Sequence, residues 1–140
     1  MKALFDASAL VAMISEEAQT AAALQALRDA EVRFTLDLAA AEIANALWRK
    51  QRAGLVLPGA VQAALSAALQ SVDHVVATAP HAPAALDLAL SVDHPVYDCL
   101  YAAAARALGA TLVTADARFA RRLVEASASV SVRVLEGTPA

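Results

Sequence analysis

A chain of 140 residues, 59% of them hydrophobic, is long enough to bury a core without disulfide staples and too apolar to be disordered. Its net charge of −3, from 14 acidic and 11 basic residues, excludes a strong global field for nucleic acid, so any such attraction must be local. The lone cysteine, Cys99, excludes an intrachain disulfide and suits a reducing compartment.

In chain order, Ala3, Leu4 and Phe5 read as a buried strand that ends at Asp6. The same Asp6 interrupts the apolar start too early for a signal peptide. Ser8 is expected to cap a first helix running to about Ser15, with Leu10, Val11 and Ile14 facing inward. A second helix, from about Gln19 to Ala30, would bury Ala23, Leu24 and Leu27. Val32–Leu36 reads as a strand, and Asp37 as the cap of a helix from Leu38 to about Arg52 that Gly54 ends. Pro58 opens a fourth helix to about Gln70, making a helical hairpin of residues 38–70. Residues 53–72 carry no charge, but Pro58, Gly59 and the stripe Gln62, Ser66, Gln70 speak for a soluble helix and against a membrane span. A cytoplasmic protein is expected.

Residues 72–77 are expected to be extended, and Ala84–Leu90 a short helix behind Pro80 and Pro83. The Asp93-His94-Pro95 loop introduces a helix from Val96 to Leu108, stopped by Gly109. Thr111–Thr114 reads as a strand leading to Asp116, followed by a helix from Ala117 to about Ala126 and a last strand at Val130–Leu135. Without repeat or linker, residues 1–140 read as a single domain. Strands alternating with helices predict an α/β fold, a three-layer α/β/α sandwich around a mainly parallel sheet.

Four acids stand out: Asp6, Glu42, Asp98 and Asp116. Asp6 and Asp116 could merely cap helices, Asp98 could favour a helix's positive end by about 0.3–1 kcal/mol, and Glu42 could be solvated. The helical neighbours of Glu42, namely Leu38, Ala39, Asn45 and Ala46, include no base, and Tyr101 and Ala102 ahead of Asp98 offer none. A carboxylate on such a face is costly unless compensated. Asn45 could orient Glu42 or a bound water.

Two of these acids end strands and two lie on helices flanking strands, so all four can meet at one edge of the sheet. At about 5 Å and an effective dielectric of about 20, each pair repels by roughly 3 kcal/mol, on the order of 20 kcal/mol for all pairs as an upper bound. Protons or a divalent cation must relieve that, and oxygen ligands favour Mg²⁺ or Mn²⁺ over zinc.

Four stretches carry a family resemblance: Phe5-Asp6-Ala7-Ser8-Ala9-Leu10, Ala41-Glu42-Ile43-Ala44-Asn45-Ala46-Leu47, Tyr97-Asp98-Cys99-Leu100-Tyr101-Ala102-Ala103-Ala104 and Leu112-Val113-Thr114-Ala115-Asp116-Ala117-Arg118-Phe119. In that order they resemble the motifs of PIN-domain ribonucleases, above all the VapC toxins of bacterial toxin–antitoxin pairs. The resemblance implies a PIN-like fold, Mg²⁺- or Mn²⁺-dependent endonucleolytic cleavage of RNA, a dimer, and inhibition by an antitoxin partner. It makes Asp6, Glu42, Asp98 and Asp116 the catalytic, metal-binding acids, with Ser8, Asn45 and Thr114 as polar support.

His74, His81 and His94 lack metal-ligand spacing and are expected in surface or loop roles. Cys99 reads as a small buried hydrophobe and Trp48 as a packing residue. Arg118, Arg121 and Arg122 after Asp116, and Arg49, Lys50 and Arg52 after Glu42, form clusters that are either solvated faces or holds for RNA phosphates. Leu55, Val56, Leu57, Val61, Leu65 and Leu69 exceed the apolar surface one core needs, which predicts a two-fold dimer through the hairpin.

Other readings stay open. An aspartyl-nucleophile phosphatase needs a second acid where Ser8 stands. A receiver-like domain needs a lysine ending a late strand, and the only lysines are Lys2 and Lys50. A PIN-like fold could also serve as a binding module without catalysis.

Overall fold

In the computed structural model, which describes residues 1–137, the apolar runs form five short strands. These are β1 (Lys2–Phe5), β2 (Val32–Leu36), β3 (His74–Val76), β4 (Thr111–Thr114) and β5 (Val132–Val134). All pairings are parallel, in the order β3-β2-β1-β4-β5, so the sheet is parallel throughout. β1 lies at its centre, paired to β2 from Lys2↔Val32 and to β4 from Ala3↔Thr111. Ala3, Leu4 and Phe5 are accordingly at most 1% exposed, as a strand covered on both faces requires. Residues 138–140 of the expected single domain lie outside the described residues.

The helices are α1 (Ala7–Ile14), α2 (Thr20–Asp29), α3 (Leu38–Arg52), α4 (Val61–Gln70), α5 (Ala82–Val92), α6 (Val96–Leu108) and α7 (Ala117–Glu125), with a 3₁₀ turn at Ala79–His81 before α5. Right-handed crossovers that step first one way and then the other along a sheet must use opposite faces. Hence α1 packs with α2, α3 and α4 on one side, while α5 packs with α6 and α7 on the other. This is the expected three-layer sandwich. Leu100–Ala105 of α6 are all buried, and four consecutive alanines in that run let the helix lie close against β1 and β4.

Several local expectations change. Asp6, not Ser8, caps α1: its Oδ1 accepts from the Ala9 amide at 2.9 Å, while the Ser8 hydroxyl turns back to donate to the same oxygen. Leu24 is exposed, because the inner stripe of α2 runs through Ala23, Ala26 and Leu27. Pro58 and Gly59 belong to the turn before α4, where Gly59 takes a φ of 92° that glycine alone adopts easily. Asp37 stands at the start of α3, yet its carboxylate accepts from the amide and hydroxyl of Thr78 and so ties the ends of β2 and β3 together. Among the described residues no helix is long and apolar enough to cross a membrane.

Candidate active site

The strand order reverses between β1 and β4, and an open parallel sheet leaves a crevice at the carboxyl ends there. Asp6 follows β1 and Asp116 lies just beyond β4, so the chain delivers one carboxylate to each side of that crevice. The two sides are laced together. The Asp6 amide donates to the Val113 carbonyl at 3.1 Å, the Ala115 amide to Ser8 Oγ at 3.0 Å, and Ser8 Oγ lies 3.3 Å from Thr114 Oγ1. Thr35, fully buried on β2, donates to the Phe5 carbonyl at 2.7 Å and fixes the end of β1.

Glu42 on α3 and Asp98 in the first turn of α6 complete a cleft of about 570 Å³ that all four acids line. Each acid is held. Asp6 Oδ1 accepts from Ser8 at 2.6 Å as well as from Ala9, and Asp116 Oδ1 accepts from the Phe119 amide at 3.0 Å, capping α7. Glu42 Oε1 accepts from the Tyr101 hydroxyl at 2.7 Å, and Asp98 Oδ2 lies 2.7 Å from His94 Nε2. The His94 ring packs on Phe119, centroids 4.6 Å apart, so the residue that Asp116 caps also backs the residue that holds Asp98.

Burial and like charge work together in this cleft. Asp6 is 4% exposed, and its carboxyl is pushed up to about 6, first by burial and further by the charge of Asp98, against donors on Ser8, Thr114 and Ala9. Glu42 is also raised, by its half-buried position and then by Asp98, with Tyr101 opposing. The Tyr101 phenol is driven above its ordinary range by burial and by Glu42, so it stays a donor. The charge of Asp98 is thus the smaller of the two raising influences at both Asp6 and Glu42, behind burial.

Among the described residues no three His, Cys, Asp or Glu side chains are grouped so that they could hold a metal between them. The donor set remains all oxygen and lines one cleft. Mg²⁺ in particular keeps several waters and takes one or two carboxylates with substrate phosphates, so an incomplete protein shell suits it.

The remaining expected residues divide. Ser8 lines the cleft, Thr114 is fully buried behind it, and Asn45 is exposed and outside the lining. Arg49 lines the cleft. Arg118, Arg121 and Arg122 line a separate depression with Ser91, Asp93 and Glu125, where Arg122 donates to the Asp93 carbonyl and closes the end of α5. Trp48 is 55% exposed with the Arg52 guanidinium 5.0 Å over its ring, so it packs on the surface and outside the core. His94 lies in the loop before α6 as expected but also holds Asp98, and Tyr101 was not a candidate. Both had signals: His94 stands four residues before Asp98, and Tyr101 shares the inward face of α6 with it. Lys50, expected with Arg49 and Arg52 on either a solvated face or a hold for RNA phosphates, lines the same cleft.

Comparison with known proteins agrees with this geometry. The model of the PIN domain family matches residues 3–123. Ribonuclease VapC3 of Pyrobaculum aerophilum is 35% identical over 127 residues, 87% of this chain and 95% of that protein. Among solved structures, PAE2754 from Pyrobaculum aerophilum superposes with a TM-score of 0.69 at 29% identity, over 94% of this chain and 83% of its own. VapC20 of Mycobacterium tuberculosis shares the fold at a TM-score of 0.66 and 20% identity, over 85% and 93% of the two chains. With four acids from β1, α3, α6 and the end of β4 around one switch-point cleft, and with that family's model covering nearly the whole fold, the chain belongs to the PIN domain family.

Proposed function

We propose that this chain is an endoribonuclease that depends on Mg²⁺ or Mn²⁺ and acts as the toxin of a toxin–antitoxin pair in the cytoplasm. The observation that carries the reading is the convergence of Asp6, Glu42, Asp98 and Asp116 on one cleft, where burial, and to a lesser degree the charge of Asp98, raises Asp6 and Glu42. A buried acid under like charge is a group that gains by facing a cation, and the 35% identical relative is named a ribonuclease.

Asp6 and Asp98 would hold the cation as its one or two carboxylates, the rest of its shell being water and substrate phosphate, while Glu42 and Asp116 line the same cleft. When bound there, the cation supplies an acidified water, orientation for in-line attack on phosphorus and stabilisation of the departing 3′ oxygen. The chain's own residues do the rest. Ser8 and the Ala9 amide keep Asp6 aimed into the cleft, and the Tyr101 hydroxyl holds Glu42 and opposes the upward push of its burial. His94 fixes the carboxylate of Asp98, and Arg49 faces the RNA backbone at the rim. Ser8 occupies the position where a phosphatase would need its second acid.

The test is cleavage of a labelled RNA by purified protein. Activity should appear with Mg²⁺ or Mn²⁺, vanish in EDTA, and fall at least about a hundredfold in Asp98→Asn, since even outer partners of metal ligands matter by about 10–100-fold. Full activity of that variant, or cleavage in EDTA, overturns the reading.

A toxin–antitoxin complex from Klebsiella pneumoniae shares the fold, as does VapBC2 from Rickettsia felis bound to a DNA fragment from its promoter, and an antitoxin partner is proposed here on that likeness of fold. A two-fold dimer through residues 38–70 is proposed because Trp48, Leu55 and Leu57 are 55%, 72% and 78% exposed on that hairpin. Leu57→Glu, which disturbs no core, should convert a dimer to a monomer in light scattering at tens of micromolar. A monomeric parent protein overturns the dimer.

A further inference from the structure

The cleft has two unlike halves. Around Asp6, Glu42, Asp98 and Asp116 it is acidic, whereas at the far end of α3 it is lined by Arg49 and Lys50, and across from them by Glu17. Lys50 Nζ lies 3.1 Å from Glu17 Oε2, the two side chains being 22% and 29% exposed. Glu17 is fixed from behind. Thr20 Oγ1 accepts from the Glu17 amide at 3.0 Å and donates toward the carbonyls of Ala12 and Ser15, both at 2.8 Å, which pins the turn between α1 and α2. The other arginines near α3 and the sheet are engaged elsewhere: Arg52 over Trp48, Arg133 with Asp29, and Arg33 with the Leu27 carbonyl.

We propose that Lys50 is a backbone-phosphate contact for RNA and that Glu17 holds it in an ion pair which the substrate displaces. The inference rests on the ribonuclease reading and deepens it by naming a second phosphate subsite beside the acids. Two arguments carry it. An acidic cleft repels a polyanion, so the substrate needs a cation within the same cleft, and Lys50 is an ammonium on a flexible stem that can turn from a carboxylate to a phosphate. A partly exposed lysine–carboxylate pair is weak, so exchanging one anion for another on Lys50 costs little. Glu17 then keeps Lys50 in the cleft between substrates, and its own charge stands where the phosphate arrives.

The experiment measures binding of a fluorescent single-stranded oligoribonucleotide in the Asp98→Asn background, so that the probe stays intact. Lys50→Gln and Glu17→Gln both break the same ion pair. A purely structural pair predicts that both move RNA affinity in the same direction, through the same disturbance. The proposal requires opposite directions. Lys50→Gln should weaken binding by about fivefold at about 0.1 M salt, with a log–log salt slope shallower by about 0.7, the loss of one single-strand phosphate contact. Glu17→Gln should tighten binding, and by more than Glu16→Gln, the same charge change at the exposed residue next door. Lys50→Arg should restore affinity. Equal effects of Glu17→Gln and Glu16→Gln, or shifts of one sign for Lys50→Gln and Glu17→Gln, overturn the subsite alone. Absence of RNA binding in the parent, together with absence of cleavage by the wild type, overturns the ribonuclease reading itself.

Discussion

The carboxyl edge of the sheet and the faces of α3 and α6 supply two acids each, and they hold them by different means. Asp6 and Asp116 follow strands and are fixed by main-chain amides, those of Ala9 and Phe119, three residues ahead, with the nearby Ser8 hydroxyl added at Asp6. Glu42 and Asp98 stand on helices and are fixed by side chains, the Tyr101 hydroxyl and the His94 ring. A main-chain clamp comes with the helix that the acid caps and asks nothing of the distant sequence. The Glu42 clamp requires two packed elements, α3 and α6, to agree across 59 residues, whereas the Asp98 clamp comes from His94, four residues before it. The lesson is that the sheet edge would keep its acids in almost any variant that folds, while the helix faces depend on single partners.

The largest expected effect sharpens the sheet-edge half. The Asp6 carboxyl is raised from 3.8 to about 6, chiefly by burial, so the folded metal-free protein binds that proton more tightly than the unfolded chain does. Its contribution is therefore complete below about pH 4 and is lost as pH rises to about 6, a fall of about 3 kcal/mol that levels off above. Asp6→Asn has no such proton, so the stability difference between it and wild type should drift in its favour across that window. Urea unfolding in EDTA measures this, and a difference independent of pH means that Asp6 is solvated. Mg²⁺ should then favour wild type at neutral pH, by about 2.7 kcal/mol at a hundredfold excess over Kd.

A smaller effect tests the helix-face half. Tyr101→Phe keeps the ring and removes the donor to Glu42. The Mg²⁺ concentration for half-maximal cleavage should rise about tenfold while the rate at saturating metal recovers, as loss of an outer-shell partner does. Unfolding stability should drop by about 1 kcal/mol, the net worth of one hydrogen bond. An unchanged Mg²⁺ dependence would show that α3 alone orients Glu42.

The smallest effect separates the two roles that Asp116 combines. Asp116→Ala loses the cap of α7 and should cost about 1 kcal/mol, whereas Asp116→Asn keeps the cap and should stay within a few tenths. Both should lower cleavage if the charge matters. Full cleavage by Asp116→Asn would leave Asp116 a cap and nothing more.

The contrast between the two halves also explains what could be read in advance. α3 and α6 begin and end at the residues their sequences announce; at α6 Pro95 and Gly109 act on their immediate neighbours, whereas at the start of α3 the Asp37 carboxylate is taken up by Thr78. β1 and β4 were equally plain, each an apolar run that stops at a carboxylate turn. Local rules misled where two of them competed. Ser8 and Asp6 are both good caps, and Ser8 lost because Thr114 and Ala115 draw its hydroxyl across the sheet. His94 was within reach, one turn behind Asp98, where a pattern that looks only forward passes over it. The Glu17–Lys50 pair had no local signal at all, since 33 residues separate its partners.

Sequence by itself therefore determined the inventory: which strands are buried, where helices start, and that four carboxylates stand at strand ends and on helices flanking strands, the two on helices with no lysine or arginine three or four residues away. Tertiary structure decided which cations share their cleft. Arg49 and Lys50 reach it from the last turn of α3, while Arg118, Arg121 and Arg122, much nearer to Asp116 in sequence, line another depression. The reason is geometric. A signal written in neighbouring residues fixes φ and ψ, and each helical residue then turns its side chain by about 100° from the one before. Which of those directions meets the acids depends on how α3 and α7 lie against the sheet, and that is set by packing across the core.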